Sequence, residues 1–273
     1  MAVITISRQV ASLGDEIASA TAKKMGYTFI DRKQIEARIV ELGFPKEKLS
    51  KYDERKPGFF ASLNKDRDEY LNYLQYAVLE AASVGNCILI GRGTFKILEE
   101  VPNMISLRLV ANDVVRRERL KKEFNWNDKQ AQGRIDESDA NRRGFHKSFF
   151  NIENDDSREY MFTLNTGLLT LEDSVRIIEG VTKNFITAEK ESLGRTKVEQ
   201  LLKGQRLVNQ LLFDFKLGIN FLRAEVGASV ITLHGVADSQ GIAERAVQTA
   251  AKILPSVEIR SAISVVQDFK PYQ

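Results

Sequence analysis

The sequence predicts an α/β fold in which a parallel sheet carries helices on both faces. Short apolar runs with the composition of buried strands recur between Val3 and Asn165. A helical pattern follows each of them, with apolar residues three and four positions apart. Strands that alternate with helices in this way form parallel sheets with right-handed crossovers. A smaller unit with the element order αββαβ is predicted after this region.

The composition is that of a soluble globular protein. The 273 residues are 43% hydrophobic and 28% charged, with a formal net charge of +3, so the charge balance gives no indication of nucleic-acid binding. The single cysteine, Cys87, excludes an internal disulfide and lies in an apolar run, where it is expected to be a small core residue. No apolar stretch approaches the ~20 residues of a membrane span, and the N-terminus has no basic-then-apolar leader. We therefore expect a cytoplasmic protein with no transmembrane segment.

The first turn of the chain, between the apolar run Val3–Ile6 and the helix that follows it, is a candidate phosphate-binding site. A helix N-terminus offers free N–H groups and the positive end of its dipole to an anion. A Walker A loop reads G-x-x-x-x-G-K-[ST], whereas here Gly14 is the only glycine, no lysine is present, and Asp15 and Glu16 follow. Two carboxylates repel a triphosphate unless Mg²⁺ or arginines neutralise it. The turn is therefore interpreted either as a phosphate-binding turn or as an ordinary strand-to-helix turn with acidic residues at the helix start.

Charged residues follow two further predicted strands. Asp31 and Arg32 come directly after the second strand, and Arg92 lies between two glycines after the third strand, Cys87–Ile90. The carboxyl ends of parallel strands face the ligand crevice of an open sheet, so these side chains are placed to contact a substrate. For Asp31 and Arg32 the alternative is a helix N-cap and a surface residue. For Arg92, the flanking glycines allow a ligand to approach, and a guanidinium can donate two parallel hydrogen bonds to one phosphate. Phosphate binding is therefore favoured over a surface role for Arg92.

Two basic segments follow the fourth predicted strand, Ile105–Val110. The first is a helix that carries Arg116, Arg117, Arg119, Lys121 and Lys122. The second, residues 134–144 (RIDESDANRRG), contains Arg142 and Arg143. Arginines three and four positions apart share one face of a helix, so these segments either close over phosphates as a mobile lid or form a solvated basic face. The sequence indicates no catalytic partner for His146, so no catalytic role is assigned to it. One cysteine with two histidines cannot form a usual zinc site.

The C-terminal part is predicted to form a second module. A fifth strand within Tyr160–Gly167 and one more helix complete the first unit, and residues 188–197 are predicted to be a polar connector. A charged insertion after the second strand, residues 51–56, is either a solvated segment or a flap over a substrate. The second module begins with an amphipathic helix over Val198–Phe215 and continues with a strand, a helix and a strand at residues 229–236, 239–254 and 257–266.

Residues 1 to about 185 resemble the cytidylate kinase family, and more closely its divergent cytidylate kinase-like branch. The resemblance begins with an Ile-Ser-Arg strand end, a following loop without the Walker lysine, and Asp31-Arg32 after the second strand. The Gly91-Arg92 turn is similar to the family's G-R-D turn, with Gly93 in place of the aspartate. The lid motif D-x-x-D-x-N-R is matched by Asp136, Asp139, Asn141 and Arg142, and the family's last strand end by Leu164, Asn165 and Thr166.

The resemblance implies a P-loop kinase-like fold for residues 1–187 and an ATP-dependent activity. The γ-phosphoryl group of ATP, bound with Mg²⁺, would pass to CMP or a related nucleoside monophosphate, by positioning and charge neutralisation. The implied catalytic residues are Arg142 and Arg143. The implied nucleotide- and phosphate-binding residues are Arg8, Ser12, Gly14 and Asn165. The implied substrate-binding residues are Asp31, Arg32, Arg92 and Asp139, and no protein ligand to a metal is expected.

Residues 198–270 resemble a BON domain, through the order αββαβ and the segment VITLHGVADS at residues 230–239. BON domains are associated with membrane-surface or ligand binding. No basic and apolar face strong enough for lipid attachment is evident here, which favours a module for a protein partner or for self-association. The basic helix lacks the interleaved aromatic residues of a nucleic-acid-stacking surface. The alternative to a kinase is therefore a catalytically degenerate nucleotide- or phosphate-binding regulatory protein that acts through this module.

Overall fold

A computed structural model describes residues 2–49, 52 and 65–267 of the chain. The predicted flap over residues 51–56 lies outside the described residues, except for Tyr52. Among the described residues, no helix combines the length and the apolar character needed to cross a bilayer.

Five parallel strands form the main sheet. In chain order they are β1 (Val3–Arg8), β2 (Thr28–Ile30), β3 (Cys87–Ile90), β4 (Met104–Val110) and β5 (Phe162–Asn165). In space the order is β2-β3-β1-β4-β5, and every neighbouring pair is parallel. The apolar run of β3 is buried along its whole length, as expected of an internal parallel strand. The predicted parallel α/β sheet is confirmed.

Helices connect these strands and cover both faces of the sheet. They are α1 (Gly14–Met25), α2 (Arg32–Glu41), α3 (Lys46–Leu49), α4 (Lys65–Ser83), α5 (Thr94–Ile97), α6 (Asp113–Phe124), α7 (Asp128–Phe150) and α8 (Leu171–Phe185). One face packs against α1 and α8 through a cluster that includes Ile4 and Ile178. The other face packs against α2, α4 and α7 through a cluster that includes Val3 and Leu74. Val3 and Ile4 belong to different clusters because successive side chains of a strand point to opposite faces.

The register of the strands brings their carboxyl ends to one edge of the sheet. β1 pairs Ile6 with Ile90 of β3, and it pairs Arg8 with Leu109 of β4. The residues that follow β1 and β3 therefore meet at the same edge, together with those that follow β2. An open parallel sheet has its ligand crevice at this edge.

The C-terminal part of the chain forms a second, three-stranded sheet. Its elements are α9 (Ala188–Asn209), β6 (Ile219–Val226), β7 (Val230–Ala237), α10 (Gln240–Ile253) and β8 (Glu258–Val265). β7 lies in the middle, antiparallel to β6 and parallel to β8. Its core includes Leu211, Leu233 and Ala246. The element order αββαβ is the predicted one, although the sequence analysis located only the second and third strands and did not locate β6. The resemblance to a BON domain and the division of the chain at residues 187 and 198 stay proposals.

The predicted polar connector over residues 188–197 is wrong, because these residues form the first half of α9. Thr187 caps this helix with its hydroxyl group. Val198 of α9 is buried in the core of the main sheet, whereas Leu207 is buried in the C-terminal core. The helix also packs along α4 and ends in a π-helical turn, Gln210–Asp214. One continuous helix therefore contributes to both cores.

Candidate active site

The turn between β1 and α1 has an unusual backbone. Ala11 and Leu13 have φ angles of 59° and 58°, a left-handed conformation that is strained for residues with a side chain. The buried Ser12 hydroxyl donates a hydrogen bond of 2.9 Å to the Gln9 carbonyl and so braces the turn. Within the described part of the chain, the backbone N–H groups of residues 13–16 donate to no backbone acceptor. These groups, at the start of α1, are available to an anion.

Two arginines of α6 hold the outer side of this turn. Arg116 donates to the carbonyl of Val10 at 3.0 Å, and Arg119 donates to the carbonyl of Ala11 at 2.9 Å. Val10 and Ala11 also pack, together with Trp126, against a small apolar cluster formed by Leu120, Ala131 and Ile135. The turn is therefore fixed from the side of α6 and α7, through both its carbonyl groups and its side chains.

The side chain of Arg8 crosses the start of α1. A Cβ atom built on Gly14 would lie 2.7 Å from Cγ and 3.1 Å from Cβ of Arg8, so glycine leaves the room that the arginine needs. The φ angle of Gly14 is not positive, so the backbone conformation does not require glycine here. The glycine is needed because a larger residue would collide with Arg8. Arg8 also lines a cleft of about 520 Å³ together with the turn, Arg119, Arg134 and Arg142. The cleft has the size of a small-ligand site and combines guanidinium groups with a helix N-terminus.

Arg92 is a buried cation at the end of β3. The φ angles of Gly91, Arg92 and Gly93 are 79°, 55° and 66°, so three consecutive residues are left-handed. Such a conformation at a non-glycine residue stores strain of the kind found at functional sites. Arg92 is 2% exposed, and its guanidinium contacts the carboxylate of Glu36 and the backbone carbonyl of Tyr52.

Arg8, Arg32 and Arg92 converge at the carboxyl ends of β1, β2 and β3. Burial, followed by the charges of Arg32 and Arg8, lowers the pKa of Arg92 to about 9, so the group stays cationic at pH 7. Glu36 contacts Arg92 and lies 3.3 Å from Nε of Arg32. The repulsion that Arg8 and Arg32 exert on Arg92 is relieved when an anion binds among these groups.

Helix α7 carries the D-x-x-D-x-N-R motif, and the members of the motif take different roles. Asp139 accepts two hydrogen bonds of 2.8 Å from the buried Arg116, which ties α7 to α6. Arg142 lines the cleft beside the turn. Arg143 is exposed and lies 3.7 Å from the carboxylate of Asp155. The helix therefore presents Arg142 to the cleft and Arg143 to a different part of the surface.

The sequence over residues 3–168 matches a model of the cytidylate kinase-like family. This chain belongs to the cytidylate kinase-like family. The match covers all five strands of the main sheet and the helices α6 and α7, and it ends before the C-terminal unit. No curated protein matches the chain. The resemblance seen in the sequence is confirmed at the level of the family.

Three solved structures align with about two thirds of this cytidylate kinase-like chain. An uncharacterized protein from Eubacterium ventriosum ATCC 27560 is 19% identical, with a TM-score of 0.54, over 67% of this chain and 98% of that one. Shikimate kinase from Bacteroides thetaiotaomicron is 14% identical, with a TM-score of 0.42, over 67% of this chain and 98% of that one. A gluconokinase from Sinorhizobium meliloti 1021 is 15% identical, with a TM-score of 0.41, over 67% of this chain and 94% of that one. The first structure supports the fold alone, and the other two are too dissimilar to add to it.

The structure brings together some of the site residues expected of a cytidylate kinase-like protein and separates others. Those that line the cleft are Arg8, Gly14 and Arg142. At the strand ends, the charges of Arg8 and Arg32 both act on Arg92. The hydroxyl of Ser12 is turned into its own loop, and the carboxylate of Asp139 is held by α6. The binding and catalytic roles of all these residues stay predictions.

Asp31 and Asn165 both have local structural contacts. The carboxylate of Asp31 accepts a hydrogen bond of 2.8 Å from the N–H of Gln34, and the Gln34 side chain accepts one from the N–H of Asp31. Asp31 is thus the N-cap of α2, as the alternative interpretation expected, and the helix begins at Arg32. The side chain of Asn165 accepts a hydrogen bond of 3.0 Å from the N–H of Gly167 and shapes the turn after β5.

The sequence analysis did not identify Glu36 as a site residue, and it assigned the wrong role to the basic helix α6. Glu36 lies four residues after Arg32 on the same face of α2, and this spacing is the signal that could have found it. Arg116 and Arg119 were expected in a mobile lid or on a solvated face, and this expectation is wrong because they support the turn after β1. The contact of Arg116 with Val10 joins residues 106 positions apart, so no local pattern encodes it.

Proposed function

We propose that this protein transfers a phosphoryl group from ATP to CMP or a related nucleoside monophosphate. One observation carries the proposal: Arg8, Arg32 and Arg92 converge at adjacent strand ends, beside a turn whose described N–H groups are available to phosphate. Phosphoryl transfer requires little covalent chemistry from a protein and depends on positioning and charge neutralisation. Guanidinium groups and backbone N–H groups supply both.

Arg8 takes the place of the lysine of a Walker A loop in this proposal. Its side chain crosses the start of α1 at Gly14 and lines the cleft. Its charge also acts on Arg92, so Arg8 lies near both the turn and the strand ends. The turn would bind the donor phosphates and the strand ends would bind the acceptor. An arginine that contacts the transferred group from such a position accelerates phosphoryl transfer by roughly 10³- to 10⁵-fold.

Arg32 and Arg92 are the acceptor-binding residues of the proposal, and Arg142 supports the donor side. The carboxylate of Glu36 contacts Arg92 and lies near Arg32. An acceptor phosphate that binds here would share these two guanidinium groups with Glu36, which sets their orientation before the substrate arrives. Arg142 lines the cleft beside the turn, where it would neutralise the phosphates of the donor.

Asp15 and Glu16 fit a Mg²⁺ ion that arrives with ATP. Both carboxylates are exposed in the first turn of α1 and line the cleft. Mg²⁺ is usually bound by one or two carboxylates together with phosphate oxygens. The described residues hold no cluster of three or more acidic, histidine or cysteine groups able to bind a metal on their own. When bound, the ion would neutralise phosphate charge, which explains two carboxylates at an anion site.

A second candidate function is that of a nucleotide- or phosphate-binding regulator without turnover. The contacts of Arg92 favour it, since the guanidinium is already engaged by Glu36 and by the Tyr52 carbonyl. Such a protein would bind a ligand in the cleft and act through the C-terminal BON-like unit, on a protein partner or on a second copy of the chain. The two functions differ in whether a bound nucleotide monophosphate is phosphorylated.

A phosphotransfer assay separates these functions. The full chain is incubated with Mg-ATP and CMP, dCMP, UMP or AMP, and we expect turnover of one acceptor. Arg92→Ala should lower kcat/KM at least about 100-fold. Arg158→Ala is the matched control and should leave it unchanged, since that side chain is 88% exposed. Arg32→Ala tests the same site through a less buried residue if Arg92→Ala does not fold.

No turnover of any acceptor, by protein that circular dichroism shows to be folded, would overturn the kinase proposal. Binding of ATP without turnover would then support the regulatory function. Equal losses in the Arg92→Ala and Arg158→Ala variants would contradict the role assigned to the strand ends.

A further inference from the structure

Phe124 and Trp126 form an aromatic surface on the wall of the cleft. Their rings stack on one another, with centroids 4.6 Å apart and planes inclined by 24°. Both residues line the same cleft as the turn between β1 and α1. Phe124 is nevertheless 49% exposed. A large aromatic face left open to solvent inside a cleft is a surface on which a planar ligand can stack.

Two helix ends fix this aromatic surface in place. Asn125 ends α6 in the left-handed conformation, with a φ angle of 54°, and so turns the chain between the two rings. Asn127 then starts α7 with a capping box. Trp126 also packs against the apolar cluster that supports Val10 and Ala11 of the turn. The surface is therefore preformed, and a ligand gains from it without ordering new side chains.

The aromatic surface lies on the donor side of the proposed site. The cleft is lined by Arg8 and by Gly14 at the start of α1, where the donor phosphates would bind. Of the described residues, those that line it do not include Arg32 or Arg92, which the proposed function assigns to the acceptor. A ligand with its phosphates on the turn would therefore place its remaining, non-phosphate part along the wall that carries Phe124.

We infer that Phe124 and Trp126 stack against the base of the donor nucleotide. The inference rests on the proposed function, because it takes the turn as the triphosphate site. Stacking uses the π-face that every base has, so this surface accepts ATP and GTP with similar affinity. Pyrimidine triphosphates bind more weakly, since their single ring covers less of the aromatic surface.

Trp126 provides the probe for the test, because it is the only tryptophan of the chain. The full chain is titrated, in the presence of Mg²⁺, with ATP, GTP and inorganic tripolyphosphate. Binding is measured by calorimetry, and tryptophan emission is recorded in parallel. We expect all three ligands to bind, the nucleotides more tightly. We expect ATP and GTP to quench the emission strongly, and tripolyphosphate, which has no base, to leave it nearly unchanged.

Phe124→Leu keeps an apolar side chain but removes the aromatic face. We expect this variant to bind ATP about 5- to 10-fold more weakly and tripolyphosphate with unchanged affinity. Phe215→Leu is the matched control, because Phe215 is also 49% exposed but lies in the C-terminal unit, and it should bind both ligands like the parent protein. The ratio of the two affinities is thus the quantity that reports on stacking.

Three outcomes would overturn the inference. Tripolyphosphate that binds as tightly as ATP would show that the base contributes nothing, while the phosphate site of the proposed function would stand. An equal loss of affinity for both ligands in Phe124→Leu would show that the ring supports the turn and does not contact a base. Failure of the parent protein to bind any of the three ligands would overturn both this inference and the proposed function.

Discussion

Gly14→Ala adds one methyl group where Arg8 crosses the start of α1, and we expect it to impair phosphotransfer without unfolding the protein. The new Cβ would lie 2.7 Å from Cγ of Arg8, about 0.7 Å closer than an ordinary contact. Because Cγ is near the root of the side chain, Arg8 must adopt another rotamer, and its guanidinium then leaves the cleft. The backbone need not move, since alanine accepts a helical conformation.

The expected magnitude follows from the loss of one charged donor. Removing a single preorganised donor to a transition state lowers kcat by roughly 100- to 1,000-fold. We therefore expect Gly14→Ala to lower kcat about 100-fold. The melting temperature should change little, because the helix propensity gained by alanine, up to about 1 kcal/mol, is offset by the rearrangement of Arg8. Steady-state phosphotransfer is measured for Gly14→Ala, Arg8→Ala and the double variant.

The double variant decides whether the added methyl group acts through Arg8. If it does, the double variant and Arg8→Ala have the same kcat, because both changes remove one contact. Losses that multiply in the double variant would refute the reasoning. Full activity of Gly14→Ala would refute it as well.

Three further changes test other features of the structure. Asp139→Asn weakens the pair with the buried arginine of α6 and should lower the free energy of unfolding in urea by about 1.5–3 kcal/mol. Asp136→Asn, at an exposed position of the same motif, should change it by less than about 0.5 kcal/mol. Gly194→Ala should lower the melting temperature, because its Cβ would lie 1.8 Å from an asparagine side chain, whereas Gly180→Ala meets no atom within 4 Å and should raise it. Native Cys87 should resist thiol reagents at pH 8, since burial raises the pKa of its thiol from 9.0 to about 12. Between pH 9 and pH 12 the Cys87 thiol ionises in the unfolded chain but not in the folded protein, so its ionisation lowers the free energy of unfolding as pH rises above 9. In Cys87→Ala, the fall in stability above pH 9 that is due to this thiol should be absent.

For each of these three predictions, one experimental result would contradict it. Equal urea midpoints for Asp139→Asn and Asp136→Asn would contradict a structural role for the pair between α6 and α7. A Gly194→Ala protein as stable as the parent would show that α9 does not pack closely at this point. Rapid labelling of Cys87 in the native protein would contradict the burial of β3.

The strand ends of the site could be predicted from the sequence, because each apolar run and the charged residue after it are neighbours in the chain. Arg92, between two glycines after β3, is the clearest example. The contacts that orient these residues could not be predicted, because they come from other elements. Glu36 reaches Arg92 from α2, and the turn after β1 is held by arginines of α6.

The first half of α9 could not be predicted for a related reason. Residues 188–197 are polar and charged, so their composition resembles a connector. They form a helix in the folded chain because Gly194 fits closely against Asn103 and the following Val198 enters the main core. Helices in proteins owe most of their stability to such tertiary packing. The amino-acid composition of the segment alone therefore gives little indication that it is helical.

Helix α9 determines where the chain can be truncated without loss of its main core. Val198 completes the main core, and the ring of Phe213, just beyond the helix, stacks on Tyr73 of α4 at 4.5 Å. A fragment that ends at residue 187 would lack both and would expose the apolar face of α4. We therefore expect that the segment matched by the family model does not fold stably on its own in this chain. The two sheets are expected to melt in a single cooperative transition, and a truncated gene product would tend to aggregate.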